Sequence, residues 1–280
     1  MKDTRVNDVS DTARWVAVYR AWESARPDAL FHDPFAQELA GLRGNDISQL
    51  MPASARNGWP IIARTKLIDD LLLAALAQGV DCVVNLAAGF DTRPYRLELP
   101  ASLRWIEVDL PALVEEKTRL LVDAKPRCGL LRIGIDLTDS HARHSMLEDV
   151  LASSSHALVL TEGLLLYLSE PQVRELAMDL AAFHCVRRWL LDLASPAILE
   201  MMRQDLGTHL ANAPFKFAPA NGVAYFEALE WRVARVSSIL HAAGRMRRLP
   251  WFLQLLSKLP EANPRKLEHA RWSGVVELRR

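Results

Sequence analysis

The chain has 280 residues, of which 50% are hydrophobic and 24% charged, a composition that excludes a disordered polymer and supports a large α/β domain with its own core. Lys plus Arg and Asp plus Glu both number 34, so the formal net charge is zero; no sequence-wide positive field tracks a phosphate backbone, which argues against nucleic acid as a partner. Cys82, Cys128 and Cys185 are odd in number and widely spaced, a pattern that predicts neither zinc nor a disulfide framework and fits a reducing cytoplasm.

The first residues, MKDTRVNDVSDTAR, are polar and lack the apolar core of a signal peptide. No later run reaches the roughly 18 to 20 apolar residues that cross a bilayer, so no membrane partner is expected. Trp15, Tyr19 and Trp22 recur at helical spacing; they either pack their helix down or form a lid over a substrate. A second, short helix is expected after Asp33-Pro34, with Asp as cap and Pro in the first turn. Residues 60–78 are strongly helical, and the stripe Ile68, Leu71, Leu72, Ala75 extends back by four residues onto Arg64. A guanidinium cannot shed its charge, so one facing inward needs an anion, either a ligand carboxylate or a structural Asp.

Gly79 ends that helix, and residues 81–86 read as a strand entering the turn Ala87-Ala88-Gly89. Strand patterns over 103–108, 130–135, 156–160 and 188–193 then alternate with helical ones over 111–124, before Ala152, and over 171–183. This alternation predicts a mostly parallel sheet with helices on both faces. Beyond Ser195 the rhythm loosens into helices and the loop Phe215-Lys216-Phe217-Ala218-Pro219. Strands return over 230–236 and 270–278, and a pair arriving after a long insertion predicts an antiparallel edge. The expected organisation is one domain over 1–280: an N-terminal helical cap (1–60), a cofactor-binding core (61–194), a substrate-side insertion (195–229), and C-terminal strands and helix (230–280).

In a doubly wound sheet, ligands sit at the carboxyl ends of the strands. The first such end, Asn85-Leu86-Ala87-Ala88-Gly89-Phe90-Asp91, has one glycine where dinucleotide-binding turns have three, and alone is a weak signal. About 20 residues on, Glu107 and Asp109 lie on one side of the second strand, where an acid accepts both ribose hydroxyls or caps the helix at Pro111. The third strand ends at Asp136-Leu137, a carboxylate and an N–H that match an amino-purine edge; helix capping is the alternative for Asp136. Glu162, the one charge in the most apolar stretch, suits a cationic ligand better than a phosphate. A glycine turn, a ribose acid, an adenine reader, a carboxylate for an ammonium and an inward arginine together fit S-adenosyl-L-methionine better than NAD.

With Ile62-Ala63-Arg64-Thr65, the stretch NLAAGFDTRPYRL, Trp105-Ile106-Glu107-Val108-Asp109-Leu110-Pro111 with Lys117, Gly134-Ile135-Asp136-Leu137, Thr161 to Leu168, and Trp272-Ser273-Gly274-Val275-Val276, the chain resembles the leucine carboxyl methyltransferase family, in particular its bacterial members. The resemblance implies a Rossmann-like class I methyltransferase sheet of seven strands, with the N-terminal helices and the insertion after the fifth strand closing over the acceptor. It implies that Arg64 binds the methionine carboxylate, Gly89 lies against the cofactor, Asp109 rather than Glu107 holds the ribose, Asp136 and Leu137 read adenine, and Glu162 faces the methionine end. Ala87 and Asp91, in the same turn, complete the cofactor-binding set; no metal is expected. The family's turn begins with glycine where this chain has Ala87, whose methyl would crowd the cofactor or shift the backbone.

The expected activity is O-methylation of a carboxylate or hydroxyl of a small molecule, free or borne by a carrier protein, plausibly in secondary metabolism. The alternative is a weak relative that binds cofactor or a protein partner without turnover. Of the eight histidines, none, His141, His144, His184 and His209 included, has a motif that marks it as catalytic. Tyr167 and Arg93 are better placed, with tight packing and a structural ion pair as their alternatives. The basic, aromatic run 245–252 reads as a solvated helix end, or as a dock for an acidic carrier protein or a membrane surface.

Overall fold

The β-branched apolar runs become strands and the amphipathic segments between them helices, in a computed structural model that describes residues 9–51, 56–206 and 214–280. The strands are β1 (Cys82–Leu86), β2 (Arg104–Asp109), β3 (Gly129–Gly134), β4 (Ala157–Thr161), β5 (Val186–Ala194), β6 (Arg232–Ser238) and β7 (Ser273–Arg279). They form one sheet in the order β3-β2-β1-β4-β5-β7-β6. β1 to β5 are parallel, and β7 runs antiparallel between β5 and β6, so the expected antiparallel edge is present. Strand β1 is flanked by β2 and β4, so the strand order reverses there and opens a crevice at the carboxyl ends.

The helices are α1 (Val9–Ser24), α2 (Ala36–Leu50), α3 (Trp59–Leu76), α4 (Arg93–Arg96), α5 (Pro111–Leu120), α6 (Ser140–Leu151), α7 (Glu170–Ala182), α8 (Pro196–Leu206), α9 (Ala224–Glu227) and α10 (Ile239–Arg245). The central strands are buried on both faces, and their alternation divides the core in two. Val84 and Leu86 pack with Leu147 of α6 and Leu176 of α7. Val83, Trp105 and Leu158 pack with Ile68 and Leu72 of α3 and Ala243 of α10.

Three local expectations are corrected. The helix after Asp33 is not short: α2 has 15 residues with a break at Gly41 and no side-chain cap. Asp33 lies three residues before α2, where its Oδ1 accepts from Phe35 N at 3.2 Å while its Oδ2 meets Arg20 and Thr92. Residue Glu230 is not a strand residue but a turn residue at φ +65°, so β6 starts two positions later than expected. The helix over 111–124 ends a turn early, at Leu120.

Candidate functional site

Strand β1 runs into a turn held by Ala88 N donating to Val108 O at 3.2 Å and Asp91 N to Ala88 O at 2.9 Å. Gly89 lies at φ +48°, and Ala87 at φ +57°. The left-handed region suits glycine, so Ala87 holds its place in the turn at a cost in backbone strain. Beside this turn lies a cavity of about 510 Å³. All eight residues selected from the sequence line it: Arg64, Ala87, Gly89, Asp91, Asp109, Asp136, Leu137 and Glu162.

Asp109, at the end of β2, accepts from Gly89 N at 2.7 Å and Leu110 N at 2.8 Å. Burial lifts its carboxyl above the ordinary value despite those two N–H donors. Glu107, two residues earlier, does not line the cavity; it meets Lys117 and Arg132, each at 2.9 Å. Asp136 accepts from Thr138 N and Oγ1 through Oδ1 alone. Helix capping is done by Asp139, which accepts from His141 N and Ala142 N.

Arg64 is paired with protein carboxylates: Nε donates to Glu162 Oε1 at 3.0 Å and Nη1 to Asp192 Oδ2 at 2.9 Å. Asp192 also accepts from Gly163 N at 2.6 Å. Gly163 sits at φ +70°, a turn conformation that glycine adopts without strain. Glu162 is shared, its Oε2 lying 2.8 Å from Arg93 Nη1. Arg93 in turn meets Asp91 at 2.8 Å and Asp69 at 2.7 Å, and Asp69 also takes Arg96. Burial would raise the Glu162 carboxyl, but Arg93 and Arg64 outweigh it and hold it below the ordinary value. Burial opposes the charges on Arg64 and Arg93, and their carboxylates outweigh it, keeping both guanidiniums ionised. Asp91 is likewise held low against burial, chiefly by Arg93. Arg93 thus makes the structural ion pairs that were one of its two readings, and it lines the cavity as well.

The sequence reading missed Asp192, Asp69 and Thr65. Asp192 carried the signal that selected Asp109 and Asp136, an acid near the carboxyl end of an apolar strand. Thr65 is 1% exposed, lines the cavity, and its hydroxyl has no partner. Nothing in its sequence neighbourhood marks a side chain left for a ligand.

The cavity is covered from two directions. From α1, Thr12, Trp15, Val16 and Arg20 line it; from the other side come Ile198, Met201 and Met202 of α8 with Phe215 and Phe217. Both readings of the first aromatics hold in part, since Tyr19 is fully buried, Trp15 lines the cavity and Trp22 is 44% exposed. Arg20 bolts α1 to the turn, donating to Phe90 O at 2.6 Å and pairing with Asp33 at 3.2 Å. Tyr167 lines the cavity with its phenol pushed up to about 12 by burial, against a hydrogen bond with Thr12. Among the described residues no histidine lines the cavity and no group of residues could hold a metal ion; His209 lies outside them.

The chain also resembles known proteins. Residues 13–181 match the leucine carboxyl methyltransferase family. A Frankia alni protein that carries the name of an S-adenosyl-L-methionine-dependent methyltransferase is 32% identical over 239 residues, 79% of this chain and 82% of that protein. A Mycolicibacterium smegmatis protein named in the same way is 33% identical over 252 residues, 80% of this chain and 84% of its own. Among solved structures, an O-methyltransferase family protein from Burkholderia thailandensis superposes with a TM-score of 0.52 at 13% identity, over 97% of this chain and 70% of that one. At that identity the likeness is one of fold.

Proposed function

The chain belongs to the leucine carboxyl methyltransferase family, and from that premise we propose that it is an S-adenosyl-L-methionine-dependent O-methyltransferase acting on a carboxylate or hydroxyl of a small molecule. The observation that carries the cofactor reading is the charge balance at the cavity wall. Along it Arg64 and Arg93 are interlocked with Asp91, Glu162 and Asp192, two cations against three anions, and Asp69 with Arg96 extends the network outside the lining. One negative charge in excess suits a ligand whose ammonium, carboxylate and sulfonium sum to one positive charge, and repels a pyrophosphate. The unpartnered Thr65 hydroxyl beside Arg64 is a buried polar group that a ligand's methionine end would satisfy. In this reading Asp109 accepts the ribose hydroxyls, and Asp136 with Leu137 N meets the adenine edge.

The bound cofactor supplies an electrophilic methyl group on a sulfonium. What the chain's residues do is hold an acceptor oxygen in line with that methyl and exclude water. Trp15, Val16, Met202, Phe215 and Phe217 form an apolar compartment suited to that task. A carboxylate attacks as it stands, whereas a hydroxyl must lose a proton to a base. The described lining contains no histidine, and Tyr167 keeps its proton at neutral pH. A hydroxyl acceptor would have to rely on a lining carboxylate such as Asp205, so we favour a carboxylate acceptor, which needs no base. The body of the acceptor is apolar, free or borne by a carrier protein.

Ala87 was the motive for reading the chain as a binder without turnover. The turn holds alanine at φ +57°, and an unchanged cofactor affinity in the Ala87→Gly protein would remove that motive. Calorimetry with S-adenosylmethionine and S-adenosylhomocysteine tests the cofactor reading, and absence of binding at millimolar concentration overturns it. A panel of apolar acids and matched alcohols, read by S-adenosylhomocysteine release, tests the acceptor; turnover confined to the alcohols would refute the carboxylate preference.

A further inference from the structure

The segment 245–260, between α10 and β7, does not line the cavity. It holds Trp251 85% exposed, Phe252 59%, Leu255 73%, Leu256 46% and Leu259 57%. Folded chains rarely leave so many large apolar side chains together in water unless something covers them. The exposure is built rather than loose. Two single turns of 3₁₀ helix, Trp251–Leu253 and Leu256–Lys258, shape the segment. Leu249 is buried beneath it, and His241 Nε2 lies 2.8 Å from Leu259 O. Arg248 anchors its start, pairing with the buried Glu23 at 2.8 Å and with Asp28 at 3.1 Å.

The charge around these side chains has one sign. From Arg245 to Pro260 the sequence holds four basic residues and no acidic one. Arg248 is spent on Glu23 and Asp28, while Arg245, Arg247 and Lys258 make no ion pair among the described residues. The nearest acid in sequence, Glu261, lies 3.7 Å from His241 Nδ1.

We propose that this segment docks the protein on an anionic lipid surface, with Trp251, Phe252 and the leucines entering the boundary between headgroups and acyl chains and Arg245, Arg247 and Lys258 meeting lipid phosphates. Aromatic and aliphatic side chains beside unpaired cations are the combination that the interface of an anionic bilayer accepts. A second copy of the chain fits less well, because a two-fold contact would set the same three cations against themselves. An acidic protein would need a deep pocket for a tryptophan as exposed as Trp251, whereas a bilayer receives any protruding ring. The sequence alone favoured no membrane partner and gave a membrane surface only as one alternative for residues 245–252. Peripheral docking needs no spanning helix, and no helix of the described residues is long and apolar enough to be one.

The test is co-sedimentation of the full chain at physiological ionic strength with vesicles of phosphatidylcholine and of equimolar phosphatidylcholine and phosphatidylglycerol. Binding to the anionic vesicles is expected to be at least ~30-fold tighter and to weaken with added salt. The pair Trp251→Glu and Leu255→Glu lowers that binding by at least ~10-fold with an unchanged melting temperature, since both side chains lie outside the core. The pair Arg245→Gln and Lys258→Gln lowers the preference for anionic vesicles. Absence of binding to either vesicle, or equal binding by the Glu pair, overturns the proposal. So do two other results without vesicle binding: a dimer in light scattering that the Glu pair dissolves, or capture by polyglutamate, which would mark an acidic protein partner. None of these readouts depends on methyl transfer.

Discussion

Replacing Ala87 with glycine acts on a single backbone position whose strain can be valued. At φ +57° a residue with a Cβ is disfavoured by about 1–2 kcal/mol. Glycine loses about 0.5–1 kcal/mol more conformational entropy on folding. The difference leaves Ala87→Gly more stable by about 0.5–1 kcal/mol, which for a chain of this size is roughly 2 °C in melting temperature. Glu230, exposed, at φ +65° and away from the cavity lining, provides the control, and Glu230→Gly should give a similar gain. The turn already carries its hydrogen bonds from Ala88 and Asp91, so cofactor affinity measured by calorimetry on the Ala87→Gly protein should change less than about threefold. Differential scanning calorimetry without ligand checks the first part. An unchanged or lower melting temperature for Ala87→Gly, beside a gain for Glu230→Gly, would refute the strain assignment. An affinity gain of about tenfold or more would show that the methyl group, not the backbone, limits binding.

Glu162→Gln removes the carboxylate that Arg64 and Arg93 share, while Asp192 still pairs Arg64 and Asp91 and Asp69 still pair Arg93, so urea denaturation should record a loss of about 1.5–3 kcal/mol. Asp81 accepts from Ser154 Oγ, Ser155 N and Ser155 Oγ at 2.5, 2.9 and 2.7 Å. Burial raises its pKa and those bonds outweigh it, bringing it from 3.8 to about 2. A lowered carboxyl pKa stabilises the fold above the unfolded value and stops doing so as pH falls through the folded one. Asp81→Asn should therefore cost about 1–2 kcal/mol at pH 7, with the gap to the parent closing between pH 3.8 and about 2; a gap independent of pH would contradict this. Asp136→Ala should weaken S-adenosylmethionine binding at least ~10-fold in calorimetry while changing stability by less than about 1 kcal/mol, because Asp136 is exposed and bonds only within its own turn.

Much of the fold was legible in one dimension. The β-branched runs at β1, β2 and β4 and the stripe of α3 are local patterns, and local periodicity decides which faces are buried. The strand-end acids Asp109, Asp136 and Glu162 could be picked out because a doubly wound sheet puts the carboxyl end of every parallel strand at one edge, whatever the intervening residues are.

Which charges meet one another was not legible. Glu107 and Asp109 are two residues apart on one strand, yet Lys117 and Arg132 claim the first while the second lines the cavity. Arg64 was known to need an anion, but its partners Glu162 and Asp192 lie 98 and 128 residues away, a distance over which no periodicity carries information. The strain at Ala87 and the exposure of Trp251 have the same origin: each depends on where distant segments place a backbone or leave a side chain uncovered. The sequence alone thus determined the element types, the parallel core and the acids at its edge, since those follow from near neighbours. Tertiary structure alone decided how the carboxylates are shared between arginines and cavity and which apolar side chains stay in water, since those depend on the three-dimensional packing of residues far apart in the chain.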